Sequence, residues 1–208
     1  MKESIENLLK ELESIQLQSG GTGSIVGQVI QYKDYAERSE TDNNCSITSD
    51  FSQLRRRLER FSAGGGGDGD VCSCGWCEDM QYGVKCALAN MTQSQYKSYS
   101  HMMVIIGDRA SHGDKPGCKS YGGNVTNPQE GRRINDVWND YFSQMKGLEN
   151  LKVWFMPIYP GEIKFTYNRF NSNLKDVHIT GDTSGDQLKT VFDDTITQVY
   201  SKLIGISV

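Results

Sequence analysis

Six cysteines, three histidines and a few acids beside apolar runs are the residues with chemical potential in this 208-residue chain. Three of the cysteines cluster as Cys72-Ser73-Cys74-Gly75-Trp76-Cys77. Thiolates at this spacing can share one zinc ion, but a structural zinc site takes four ligands and the segment offers three. Two readings stay open for Cys72, Cys74 and Cys77. They bind Zn²⁺ with a fourth ligand from Cys86, Cys118 or His112, or they are reduced thiols in a loop. His101 and His178 stand alone beside or within apolar strands, where a structural role is expected. The run Gly21-Thr22-Gly23-Ser24-Ile25-Val26-Gly27 misses the G-x-G-x-x-G spacing by one position. It also leads into a strand, so no helix N-terminus is available to hold a pyrophosphate.

Composition narrows the class. A net charge of -4 gives no basic footprint for nucleic acid or an anionic membrane. Arg55-Arg56-Arg57 is expected on the solvated face of a helix. No apolar stretch is long enough to span a bilayer, and the charged start Met1-Lys2-Glu3-Ser4-Ile5-Glu6 lacks the order of a signal peptide. A cytoplasmic chain with reduced thiols is therefore expected, one in which the sequons at Asn44, Asn90 and Asn124 stay unused.

The elements that must position these residues follow from periodicity. Ile5, Leu8, Leu9, Leu12 and Ile15 make one helical stripe, predicting a helix over 3–16. Residues 25–32 are rich in β-branched side chains and predict a strand, with Cys45-Ser46-Ile47-Thr48 folding back on it. Ser49 or Asp50 can cap a helix with Phe51, Leu54, Leu58 and Phe61 on its apolar face, ended by Gly64 to Gly67. A helix is predicted over 78–91, a strand buried on both faces over 102–106, and a helix over 129–146. A buried strand over 151–158, a short helix over 163–171, a strand at 177–179 and a last helix over 188–203 complete the series. This alternation implies a single α/β domain over 1–208, doubly wound around an open, mostly parallel sheet with helices on both faces.

In such sheets ligands sit beyond the carboxyl ends of the strands. Two loops there are unusual: Phe61-Ser62-Ala63-Gly64-Gly65-Gly66-Gly67-Asp68, and Ile106-Gly107-Asp108-Arg109-Ala110-Ser111-His112-Gly113. Together with Val29-Ile30-Gln31-Tyr32-Lys33-Asp34-Tyr35 and Ile47-Thr48-Ser49-Asp50-Phe51, they occur in the order seen in one family. The chain resembles the von Willebrand factor type A (vWA) domains, and within them the branch associated with alpha-kinases, from Met1 to about Leu203. The resemblance implies a Rossmann-like fold whose central first strand ends in D-x-S/T-G-S, a motif with no match in this chain. On that comparison the chain is expected to start one strand late, leaving the backbone groups of its neighbours to find other partners.

The resemblance also implies a metal site that binds rather than catalyses. Asp108 corresponds to the acid after the buried strand, and Asp68, with Asp70 as its alternative, to the preceding loop position. Without the upstream motif two carboxylates remain for Mg²⁺ or Mn²⁺, where about six oxygens are needed, so only weak binding is expected. The implied activity is non-enzymatic: a protein-interaction module holding an unidentified protein ligand through a degraded cation site. The alternatives are an accessory domain or fragment of an alpha-kinase-type serine/threonine kinase, with no catalytic segment here, and a structural fragment.

Overall fold

The computed structural model describes residues 2–18, 25–32, 46–61, 77–116, 125–127, 130–158, 160–180 and 190. The chain divides into two compact units, one formed by Met1–Val29, Ser46–Ser62 and Thr183–Val208, the other by Ile30–Cys45 and Ala63–Asp182.

In the first unit the N-terminal stripe forms α1 (Lys2–Gln18), two residues longer at its C-terminal end than the periodicity predicts. The second helix, α2, spans Phe51–Arg60. Asp50 caps it, its carboxylate accepting from Ser52 N at 2.9 Å and Gln53 N at 3.3 Å, which satisfies two otherwise orphaned donors. Leu9, Phe51 and Leu54 form the small core of this unit, with Ile5, Leu12, Ile25 and Val29 packed around it. Residues 25–32 make a single antiparallel bridge, Gly27 to Thr48, and not the predicted strand. The basic run departs from expectation too. Arg55 pairs with Glu13 at 2.7 Å and Arg56 is exposed, but Arg57 is buried and donates to the Ser46 carbonyl and hydroxyl. A guanidinium carries five donors, so two oxygens from one residue let it lie against the protein instead of in water.

The second unit holds the sheet. β2 (His101–Gly107) and β6 (Leu151–Pro157) pair in parallel over seven residues, from His101–Leu151 to Gly107–Pro157. β7 (Val177–Ile179) adds in parallel on the other side of β6, giving the order β2-β6-β7. Between them run α4 (Ile134–Lys146) and α5 (Pro160–Asn173), the latter starting earlier than predicted because Pro160 suits a first helical turn. α3 (Met80–Met91) begins after Asp79, which caps it. Two-residue ladders join β1 (Cys77–Glu78) to β3 (Ala110–Ser111) in parallel, and β4 (Thr126–Asn127) to β5 (Arg132–Arg133) in antiparallel fashion.

The larger core explains why these strands form. Met103, Ile105, Val153, Phe155 and Val177 project from one face of the sheet into a cluster with Trp138, Phe142, Ile163 and Phe170. The rings meet edge to face, Phe155 and Phe170 at 5.1 Å and Trp138 and Phe170 at 5.3 Å, a geometry that complements ring quadrupoles. On the opposite face Met102, Val104 and Ile106 are only half-buried, so β2 is not buried on both faces as its unbroken apolar run implied. Among the described residues β2 has a ladder partner on one side only. The architecture is α/β with a parallel three-stranded sheet, and no described helix is long and apolar enough to cross a membrane. Apart from Thr190, the predicted helix over 188–203 lies outside the described residues, as does the glycine run Gly64 to Gly67.

Candidate functional site

The carboxyl end of β2 carries the one expected Mg²⁺ ligand among the described residues. Asp108 follows Gly107 directly, and its side chain is 43 % exposed, open to a ligand from solvent. Arg109 Nε stands 4.0 Å from its carboxylate, at the outer limit of an ion pair. Behind this acid lies Tyr32, whose hydroxyl donates to the Ile106 carbonyl at 3.1 Å. Burial first, then the carboxylates of Glu78 and Asp108, push the Tyr32 phenol far above its ordinary range, so it stays neutral. Glycines make room for it. A Cβ at Gly83 would sit 3.2 Å from the Tyr32 ring, and one at Gly107 would collide with the hydroxyl.

Glu78 and Tyr32 are the members of this corner that sequence reasoning missed as site residues. Glu78 reads as the start of a helix, yet it sits in β1 opposite Ser111, and its carbonyl accepts from His112 N at 3.2 Å. The signal for Tyr32 was its place at the end of a β-branched run; nothing local revealed which backbone carbonyl it would reach.

Beside the corner lies a buried polar cluster. Asp114 forms an ion pair with Arg169, whose Nη1 also donates to Asn135 Oδ1 at 3.0 Å. Thr166, fully buried on α5, accepts from Ser111 N at 2.7 Å and contributes a hydrogen bond to Asp114. Burial pushes the Asp114 carboxyl up to about 6, against the pull of Arg169. A second ion pair, Lys115 to Glu162, ties the same turn to α5.

The cysteines are where expectation needs correcting. Cys77 is disulfide-bonded, and so is Cys86. A sulfur held in a disulfide is not a thiolate, so Cys77 is not available to zinc in this state, and reduced thiols are not found at either position. Cys72 and Cys74, like Asp68 and Asp70, lie outside the described residues. Among the described residues no group of three or more His, Cys, Asp or Glu side chains is placed to hold a metal ion. Asp108 and Glu78 alone fall short of the roughly six oxygens that Mg²⁺ or Mn²⁺ takes, so most of such a shell would be water.

Both lone histidines sit on strands. His101 is buried on β2, and burial lowers its pKa. His178 pairs with Asp176 and stacks on Trp154 at 4.3 Å. Asn90 is buried with its amide donating to the Cys86 carbonyl at 3.3 Å. No family model matches the chain, no curated protein matches it, and no solved structure matches it.

Proposed function

We propose that the chain is a non-enzymatic protein-interaction module of vWA type, its docking site the carboxyl end of β2 around Asp108. The observation that carries this reading is one partly exposed carboxylate directly after a parallel strand, at the carboxyl end of the sheet, the end at which open α/β sheets bind ligands. Glu78 and the neutral Tyr32 stand behind it, and two carboxylates at one corner favour a cation there. A divalent ion there, Mg²⁺ or Mn²⁺, is held weakly and bridges Asp108 to an acidic side chain of a protein ligand.

Affinity capture with full-length protein, in Mg²⁺ and in chelator, tests the reading. Wild type should retain a partner only with the cation, and Asp108→Ala should lose it. A partner set identical across all these conditions would contradict the proposal.

A further inference from the structure

The carboxyl end of β2 is held on its two edges by different means. Gly107 turns its carbonyl toward β6, where Ile158 N donates to it at 2.8 Å. Successive carbonyls of a strand point to opposite edges, so that of Ile106 faces away from β6. On that edge β2 has no ladder partner among the described residues. A side chain meets the carbonyl instead: the Tyr32 hydroxyl, 74 positions earlier in the chain, donates to it at 3.1 Å. Two glycines shape the space for the ring. A Cβ at Gly83 on α3 would stand 3.2 Å from it, and one at Gly107 would strike the hydroxyl. The phenol also lies within the field of the Asp108 carboxylate. A phenol has one proton to donate, and here it goes to the Ile106 carbonyl.

We propose that Tyr32 is the positioning residue of the cation corner. Its hydroxyl takes the place of a strand neighbour at the Ile106 carbonyl and so sets the direction in which the Asp108 carboxylate points. The inference rests on the cation reading of Asp108 and adds the residue that aims it. Two successive peptide groups are pinned just before Asp108, one by Tyr32 and one by the bond from Ile158. Without the hydroxyl only the second remains. The Ile106 carbonyl must then find water or tilt its peptide, because an unpaired backbone acceptor away from water is costly. The chain leaves β2 in more than one direction, and the carboxylate follows it. An ion held by few protein oxygens depends on each of them being aimed. Groups that orient a metal ligand from behind contribute about ten- to hundredfold in affinity, and the lower figure suits a largely hydrated ion.

Mn²⁺ affinity is measured by water-proton relaxation on the full chain, at a temperature where thermal melts show every variant folded. Wild type should bind Mn²⁺ weakly, and Asp108→Ala should abolish that binding. Tyr32→Phe keeps the ring and removes the hydroxyl, and should bind about tenfold more weakly than wild type. Val177→Ala, in the core on the far strand of the sheet, should lower the melting temperature and leave the affinity unchanged. That control separates aiming the carboxylate from loss of stability. Wild-type binding that is absent, or that Asp108→Ala leaves unchanged, would overturn the cation reading and this proposal with it. Tyr32→Phe binding at wild-type affinity would overturn the positioning role alone. Val177→Ala losing as much affinity as Tyr32→Phe would do the same.

Discussion

Two apolar runs of this chain, residues 102–106 and 25–32, have similar β-forming character and reach different states. The first lies within β2, paired with β6 over seven residues, with its Met103 and Ile105 set into the larger core beside Phe155. The second makes one bridge, at Gly27, and packs Ile25 and Val29 around a core of three buried residues. The difference lies in what each run meets. β-propensity is largely a measure of fit to a pleated, half-buried surface, and without a neighbouring strand it has nothing to fit. β2 finds a parallel partner and an aromatic layer. Ile25, Gly27 and Val29 find Thr48 and two helices.

The largest effect should come from removing the aromatic layer. Phe155→Ala, at a site with no exposure and ring contacts to Phe170 and Tyr167, should cost about 3–5 kcal/mol in chemical denaturation. Val29→Ala, in the weaker run, should cost about 1 kcal/mol or less, since its side chain is half-exposed. Equal costs at the two sites would erase the comparison.

Arg169→Ala comes next, at about 3 kcal/mol, because it leaves the Asp114 carboxylate buried without its partner. Arg169→Lys keeps the charge but not the contact to both Asp114 and Asn135, and should recover only part of the loss.

The same acid sets a pH dependence confined to the second unit. The folded Asp114 pKa, about 6, lies above its ordinary value of 3.8, so between these values the folded chain holds a proton that the unfolded chain has released. Stability from this group is therefore full below pH 4 and falls as pH rises through 6. One pKa unit is worth about 1.4 kcal/mol, so the loss is roughly 3 kcal/mol at most. Denaturant midpoints measured across pH 4–7 should show this fall in the wild type and not in Asp114→Asn.

The smallest effect belongs to the cap of the first unit. Asp50→Ala should cost about 1 kcal/mol, and Asp50→Asn much less, in a thermal melt followed by helical circular dichroism.

Most helices were legible because their signals are local. The Ile5–Leu9–Leu12 stripe and the Asp50 cap announce α1 and α2, and Ile134, Trp138, Tyr141 and Met145 announce α4. The strands β2, β6 and β7 were legible as apolar runs, but not their exposure. An unbroken run reads as buried on two faces, and it takes a neighbour on each face to make it so. The position of Asp108 directly after a strand was legible. Glu78, Tyr32 and the Asp114–Arg169 pair were not, because each depends on contacts between residues far apart in the chain. Arg57 reads as solvated for the same reason; only the fold brings Ser46 to it. The oxidation state of Cys77 and Cys86 was misread because cysteine count alone favours free thiols in a chain of this size.

The central claim is that the carboxyl end of β2 is a weak divalent-cation corner built on Asp108. Paramagnetic broadening of amide resonances during a Mn²⁺ titration tests it most directly. Broadening should begin at residues 107–109 and at Glu78 and Tyr32, and vanish in Asp108→Ala. Broadening that is absent, or that is unchanged by Asp108→Ala, would contradict it.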